Sequence, residues 1–269
     1  MPKLPPLHTI KTDASGQGRV LLVGAGPGDP ELLTLKAAKA IASADVVLVD
    51  DLVSPEIVKL APASARVVWV GKRGGCKSTP QAFIEKLMVM AAKEGQTVVR
   101  LKGGDPFIFG RGGEEVETLQ AAGIRVEVIN GITSGLAAVT SLNTPLTHRE
   151  HAHGVVFVTG HAKPGDGIDF AELAHTAHKA RLTLVIYMGV SGAAFIQNEL
   201  LKGLPASTPV AIIHKASLPE QRHAVSSLGE LTATIEHEQL ASPSVIVVGD
   251  VLSGLAATVN STLAATRTA

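Results

Sequence analysis

The chain has 269 residues and a balanced charge, with 24 Lys plus Arg against 24 Asp plus Glu. That neutrality excludes a binder that works by basic attraction to nucleic acid or to an anionic membrane surface. A single cysteine, Cys76, excludes an internal disulfide framework and multi-cysteine zinc or iron–sulfur sites, and it fits a reducing, cytoplasmic setting.

Mean hydropathy is positive. Even so, apolar stretches such as Val155–Val158 and Leu184–Met188 fall far short of the roughly 18 residues a spanning helix needs. No membrane span is expected. Residues 1–18 are polar, carry three prolines and lack an apolar h-region. They read as a flexible lead-in rather than a secretory signal.

The predicted elements alternate from there on. Arg19–Val23 is a strand, and Asp29-Pro30 opens a helix with Asp as N-cap and Pro at the first position. Val46–Val49 and Arg66–Val70 are strands. Thr79-Pro80 starts a helix that Gly95 ends. Thr97–Leu101 is a strand, Gly113–Ala122 a helix closed by Gly123, and Arg125–Ile129 a fifth strand. The strands are apolar throughout rather than alternating, which argues a mostly parallel sheet covered on both faces.

Leu142–Gly154 breaks this rhythm with polar, His-rich sequence. Strands resume at Val155–Thr159, Leu184–Met188, Val210–His214, Ala224–Ser227 and Val245–Val248, with helices at Gly192–Lys202 and Leu228–Glu238. The expectation is two α/β domains, 19–142 and 154–263, joined by a linker at 143–153. An Ala/Thr-rich tail, Leu255–Ala269, closes the chain.

Ligands of parallel sheets bind at the carboxyl ends of strands. Gly24-Ala25-Gly26-Pro27-Gly28-Asp29-Pro30 follows the first strand and suggests a dinucleotide fingerprint, with Asp50 downstream as the ribose partner. Two details disagree. The third glycine would fall at Asp29, a carboxylate where a pyrophosphate would sit, and Pro27 removes an N–H from the cradle. A flat base, a sugar and a cation suit this loop better. Gly71–Ser78 nearly spells a P-loop, but Cys76 stands where the second glycine is required. Lys72 and Arg73 remain as groups that could hold carboxylates.

Leu101–Glu115 packs five glycines, Phe107, Phe109, Asp105 and Arg111 into one strand-to-helix connection. Glycines there let backbone approach a ligand closely. Asn130–Gly135 is not a nucleophile elbow, because Ser134 sits one position late, and its Thr133-Ser134 pair suits a helix cap. His148, His151 and His153 have a spacing that matches no specific metal site, so no metal is expected. Arg149 and His161 read as anion-binding groups.

Together these loops resemble one family, the uroporphyrinogen-III C-methyltransferases, which use S-adenosylmethionine. The resemblance runs from about Arg19 to Val251. It is carried in order by VGAGPGDPELLTLKA (Val23–Ala37), ADVVLVDDLVSPEI (Ala44–Ile57), VGKRGG (Val70–Gly75), VVRLKGGDPFIFGRGGEE (Val98–Glu115), GITSG (Gly131–Gly135), PLTHR (Pro145–Arg149), VTGH (Val158–His161), YMG (Tyr187–Gly189) and SPSVIVVGDV (Ser242–Val251). The chain departs from the family's habit at Val49 (often Tyr), Asn130 (usually Pro) and Gly135 (commonly Ala).

The resemblance implies a two-domain tetrapyrrole methylase fold, each domain a mostly parallel or mixed sheet flanked by helices, working as a homodimer with its active site in the interdomain cleft. It implies methylation of uroporphyrinogen III at C2 and C7, giving precorrin-1 and then precorrin-2 for siroheme, cobalamin or haem d1. No metal is needed, because the sulfonium donor is already reactive, and S-adenosylhomocysteine is the by-product. Donor contacts map to Pro27, Gly103, Gly104, Asp105, Ile108, Thr133, Ser134, Met188 and Ala216. Acid/base candidates map to Asp50 and Lys72. Arg111, Glu114, Arg149, His161 and Met188 fall in substrate-facing motifs. Arg111 and Arg149 suit the role of clamps for a substrate with eight carboxylates. Arg111 is also a candidate proton acceptor if Glu114, water or substrate shares the proton. Three rival readings stand beside this one: a methylase of a later corrin intermediate, an NAD-dependent oxidoreductase built on Gly24–Gly28 and Asp50, and a non-catalytic binding module.

Overall fold

A computed structural model describes residues 18–71, 79–161 and 167–253. The lead-in before Gly18, the tail after Ser253 and the loop holding Lys72, Arg73 and Cys76 lie outside the described residues.

The first half runs β1 (Arg19–Gly24), α1 (Leu35–Ile41), β2 (Val46–Val49), α2 (Pro55–Val58), β3 (Arg66–Trp69), α3 (Gln81–Lys93), β4 (Thr97–Lys102), α4 (Gly112–Ala121), β5 (Arg125–Ile129) and α5 (Ser134–Thr140). Its strands form one sheet in the order β3-β2-β4-β1-β5, and every pairing is parallel. The second half runs β6 (Gly154–Thr159), α6 (Phe170–Ala180), β7 (Leu182–Tyr187), α7 (Ala193–Leu200), β8 (Pro209–His214), β9 (Arg222–Ser227), α8 (Leu231–His237) and β10 (Ser244–Val248). Its sheet, β6-β7-β10-β8-β9, is mixed: β6 and β7 pair in parallel, and the other pairings are antiparallel.

Each sheet is covered on both faces, which is why its central strands are nearly unbroken apolar runs. In the first, Leu21, Val23, Val47 and Val99 pack toward Ala37, Ile41 and Ile57, while Val20, Leu22, Val46 and Val98 pack toward Ile84, Met88 and Leu119. In the second, Leu184, Ile186 and Ile246 face Phe170, Ile196 and Leu231. Val185, Val245 and Val247 face Ala138, Val139, Leu142 and Leu146, so α5 and the segment after it lie across the second sheet. Burying a leucine or isoleucine as fully as Leu22 or Ile186 contributes about 1.5–3 kcal/mol relative to exposure.

Helix starts differ from the sequence reading in one instructive place. Asp29 does cap a helical turn, accepting from Glu31 N at 2.9 Å, but that turn is a single 3-10 turn over Pro30–Leu32. Leu33 is extended, and Thr34 then caps α1 through Ala37 N at 3.1 Å. Two residues compete to start one helix, and the second starts the α-helix proper. Similarly, Gly192 and Leu228 belong to short 3-10 turns that precede α7 and α8.

Candidate functional site

The site is built where the carboxyl ends of β1, β4 and β5 meet the second sheet. In the first sheet the connections after β1 and β4 run to opposite sides, the kind of crevice where open parallel sheets bind ligands. Three loops meet there almost backbone to backbone. Gly26 and Gly104 exchange hydrogen bonds, N to O, at 3.1 and 2.7 Å. A Cβ on Gly24 would lie 2.4 Å from Gly131 N, and one on Gly131 would run into Gly104 O. Only backbone fits between these loops. Gly104, at φ +66°, is different: its missing side chain would meet nothing closer than Thr133 Cα at 3.8 Å and Ser134 N at 3.9 Å. Its front opens on the Thr133-Ser134 turn.

Asp105 ties the loops together. It is 6% exposed. Oδ1 accepts from Phe107 N at 2.9 Å, and Oδ2 accepts from Gly131 N and Asn130 Nδ2, each at 3.1 Å. Its carboxylate is therefore turned inward, onto protein donors. Asn130 adds one of those donors.

The second sheet closes the crevice. A Cβ on Gly28 would stand 2.6 Å from Leu218 Cδ2, and Asp29 N donates to Ser217 Oγ at 3.2 Å. Ala216 is buried beside them, between Lys215 and Ser217, both at positive φ. Ile108, from the glycine-rich connection, packs on the core of the second sheet. Pro27 lies half-buried on the same rim. The dinucleotide reading of this loop fails here, since the α-helix its fingerprint requires begins only at Leu35, and Leu218 occupies the approach to Gly28.

Tyr187 is the hub of the contact, a role its sequence motif does not reveal. It ends β7 and is 8% exposed. Its hydroxyl lies 2.6 Å from Thr133 Oγ1 and accepts from Gly135 N at 2.8 Å. Thr133 does not cap α5 with its own side chain; Tyr187 supplies that acceptor from the other sheet. A Cβ on Gly135 would come within 2.4 Å of the Tyr187 oxygen, so alanine cannot be accommodated as the structure stands. The Tyr187 ring packs against Phe109 at 5.0 Å and Phe157 at 6.1 Å between centroids. Burial pushes its hydroxyl pKa up. That the sequence contains one tyrosine, inside a motif already singled out, was the available signal. Met188 follows at φ 55°, half exposed, and Phe109 and Arg111 also have positive φ. Strained backbone of this kind gathers at ligand sites.

Arg111 and Glu114 face solvent and hold each other bidentately, Nε to Oε1 at 2.9 Å and Nη2 to Oε2 at 2.6 Å. The Glu114 hydrogen bond raises the Arg111 pKa, and Arg111 in turn holds Glu114 below the usual carboxylate range. Arg111 shares its loop with Gly103–Asp105, and Gly112 N donates to Pro106 O at 3.1 Å to fold that loop back on itself.

One helical residue on, Glu115 points the other way. It is fully buried, with Arg100 Nε 3.0 Å and Gln81 Nε2 3.1 Å from Oε1 and Lys102 Nζ 3.1 Å from Oε2. Arg100 Nη2 reaches Asp50 Oδ1 at 3.2 Å, and Lys102 Nζ lies 3.8 Å from Asp50 Oδ2. Arg100 and Lys102 are each 2% exposed. Two steps apart on β4, they point to one face of the sheet. Burial lowers the Lys102 pKa and the Arg100 charge adds to this, against the carboxylates of Glu115 and Asp50, which raise it. Asp50 is the open end of this cluster, its side chain one-third exposed at the end of β2. Leu52, two residues on, packs on Gly103.

Not every predicted site residue converges. His161 is exposed at the end of β6, near the end of β7 that carries Met188. Arg149 sits at the opposite end of these strands. Glu150 O accepts from Arg181 Nη1 at 3.2 Å, His153 N donates to Arg181 O at 2.8 Å, and β7 begins at the next residue. A six-residue strand, about 16 Å at a rise of about 3.3 Å per residue, separates Arg149 from Met188 within one chain. Among the described residues, His148, Glu150 and His151 bring potential metal ligands within 4.8 Å, all exposed at that far end. Their loop is closed locally, and Glu150 N donates to His148 Nδ1 at 3.2 Å, which engages one of the ring nitrogens.

Glycine backbone opposite Thr133-Ser134, with Ile108, Met188 and Ala216 close by, suits a donor with a flat base and a cationic sulfur. Residues 19–232 match the family model for Tetrapyrrole (Corrin/Porphyrin) Methylases. The chain is 53% identical over 235 residues to a uroporphyrinogen-III C-methyltransferase of Pseudomonas aeruginosa, covering 87% of this chain and 94% of that one. It is 49% identical to a siroheme synthase of Azotobacter vinelandii over 87% of its own length, and spans 50% of that longer protein. A solved uroporphyrin-III C-methyltransferase of Thermus thermophilus, complexed with S-adenyl homocysteine, superposes with a TM-score of 0.74 at 42% identity, covering 88% of this chain and 99% of that one. The chain belongs to the tetrapyrrole (corrin/porphyrin) methylase family.

Proposed function

We propose that this protein is a C-methyltransferase that moves methyl groups from S-adenosylmethionine to uroporphyrinogen III, at C2 and C7, to give precorrin-2 by way of precorrin-1. One observation carries the reading: three glycine-built loops of a parallel sheet close against Tyr187 and Ser217-Leu218 of a second sheet.

S-adenosylmethionine supplies an electrophilic methyl carbon on a sulfonium. The chain's own residues bind and orient. Gly103, Gly104, Thr133, Ser134, Met188 and Ala216 line the donor's place, with Pro27 and Ile108 at its rim. Asp105 serves as the brace that holds their loops. Correct alignment of donor and pyrrole carbon contributes up to about 7–11 kcal/mol to lowering the barrier. Arg111, held in place by Glu114, clamps a substrate carboxylate with its fork of donors. Glu114 then exchanges its partner for water or substrate. His161 and Met188 face the macrocycle. Lys72 is an acid/base candidate and lies outside the described residues. Arg149 would serve this site as a clamp only from a position the single chain does not give it. Homodimerisation and a cytoplasmic setting complete the proposal; they are supported by the family resemblance and by the lone cysteine.

Incubation with uroporphyrinogen III and isotopically labelled donor tests the reading. Two labelled methyl groups per macrocycle are expected. No transfer to uroporphyrinogen III, with transfer to a later corrin intermediate, would replace the substrate. Calorimetry separates the cofactor classes: S-adenosylhomocysteine binds and NADH does not.

A further inference from the structure

The cluster behind Asp50 does work the donor loops do not. Arg100, Lys102 and Glu115 are buried on a face of the sheet that is otherwise packed by Ile84, Met88 and Leu119. Burying three charges is costly unless they are paired and hydrogen-bonded. Here the sum closes only when Asp50 is included: two cations, Arg100 and Lys102, against two anions, Glu115 and Asp50. Three members are sealed in. The fourth, one-third exposed, follows β2 beside the carboxyl end of β4. Arg100 and Lys102 held against its carboxylate make Asp50 a charge-assisted hydrogen-bond acceptor at the open end of the cluster.

Resting on the functional reading above, we propose that Arg100, Lys102 and Glu115 are positioning residues that orient the Asp50 carboxylate, and that Asp50 accepts hydrogen bonds from the pyrrole N–H groups of the substrate. A porphyrinogen presents four such donors at the centre of its ring. A metal-filled porphyrin of the same carboxylate pattern presents none. Arg111 at the rim reads the carboxylates; Asp50 reads the ring centre and selects the reduced, metal-free macrocycle.

The test is binding without turnover, in the full chain saturated with S-adenosylhomocysteine, using uroporphyrinogen III and copper(II) uroporphyrin III as probes. Asp50→Asn is expected to weaken uroporphyrinogen III by about tenfold to a hundredfold, the range of a charge-assisted hydrogen bond, and to leave copper(II) uroporphyrin III, which takes axial ligands poorly, unchanged. In turnover the loss should fall on KM more than on kcat. Lys102→Met should reproduce part of this effect, and Lys102→Arg should restore it, a rescue that a purely structural role for the lysine would not predict. If Lys102→Met does not fold, Asp50→Asn and Asp50→Glu still decide the question. Equal weakening of both probes in Asp50→Asn overturns the proposal, as does unchanged uroporphyrinogen affinity with lost kcat, the signature of a base. Wild-type chain that binds S-adenosylhomocysteine and neither tetrapyrrole overturns the functional reading as well.

Discussion

Glu114 and Glu115 are neighbours on α4, and each meets an arginine. Glu114 pairs with Arg111 in solvent, both side chains more than half exposed. Glu115 meets Arg100 and Lys102 with no exposure at all. The exposed pair can be traded at little cost for water or for a substrate carboxylate. The buried cluster cannot be traded, because every member left alone is a charge in a low-dielectric interior. Adjacent positions on one helix thus supply an exchangeable contact and a permanent one.

Removing the permanent contact should have the largest effect. Glu115→Ala leaves Arg100 and Lys102 with Asp50 as their remaining anion, and is expected to cost about 3–5 kcal/mol of stability, read as a fall in the urea midpoint. The comparison sharpens with a second change. Glu115→Gln combined with Lys102→Met removes one anion and one cation, keeps the cluster neutral, and should lose less than Glu115→Gln alone. An additive double variant would show that the charges do not act as a unit.

This cluster also marks the limit of what the sequence made legible. The strands were readable because buried parallel strands are short apolar runs ended by Gly or a charge, and ten of them stand within a few residues of their expected places. The crevice loops were readable because glycine concentrates there. Arg100 and Lys102 sit inside such an apolar run, and their partners stand 15, 13 and about 50 positions away. Local pattern carries no sign of that pairing. Other misses did have local signs. Ser54-Pro55 before α2 and Asp169 with Glu172 before α6 are start signals of the kind used elsewhere in the chain, and both caps are made. Tyr187 caps α5 from another sheet, 52 positions from Gly135, a pairing only the tertiary fold provides.

Tyr187 is a second permanent polar contact, so it should behave like Glu115 on a smaller scale. Gly135→Ala drives a methyl group into the Tyr187 hydroxyl and should cost about 1–3 kcal/mol. Tyr187→Phe removes the acceptor for Gly135 N and the partner of Thr133, and should cost about 1–3 kcal/mol. Both should weaken S-adenosylhomocysteine in calorimetry, since both disturb the Thr133-Ser134 turn. In the double variant the losses should fall short of their sum, because phenylalanine vacates the space alanine needs.

Two buried groups should bend the pH dependence of stability in opposite directions. Lys102 is lowered from the ordinary lysine value of 10.5 by burial. Between its folded value and 10.5 the unfolded chain binds a proton the folded chain has lost, so stability rises with pH across that window. Below the window the full cost of burying the ammonium applies. Tyr187 is raised from 10.0 by burial. Between 10.0 and its folded value the folded chain keeps a proton the unfolded chain has lost, so stability falls with pH there. Urea midpoints followed from about pH 8 to about pH 11 should therefore rise less steeply in Lys102→Met than in wild type, and fall less steeply at the alkaline end in Tyr187→Phe.

The exposed pair should matter least to stability and still matter to function. Arg111 sits at φ 59°, a left-handed conformation that a side chain holds only at some cost. Glycine adopts it freely. Arg111→Gly should leave stability, read from the urea midpoint, unchanged or raise it by up to about 1 kcal/mol, because relieved backbone strain offsets a solvent-exposed ion pair and the added freedom of the unfolded chain. The same variant should lose most of its turnover with uroporphyrinogen III, and Arg111→Lys should recover little, since an ammonium cannot grip a carboxylate with two parallel hydrogen bonds. A strained residue whose removal does not weaken the fold is one retained for the ligand. Near-normal turnover in Arg111→Lys would move the carboxylate clamp elsewhere and dissolve the contrast between the two glutamates' partners.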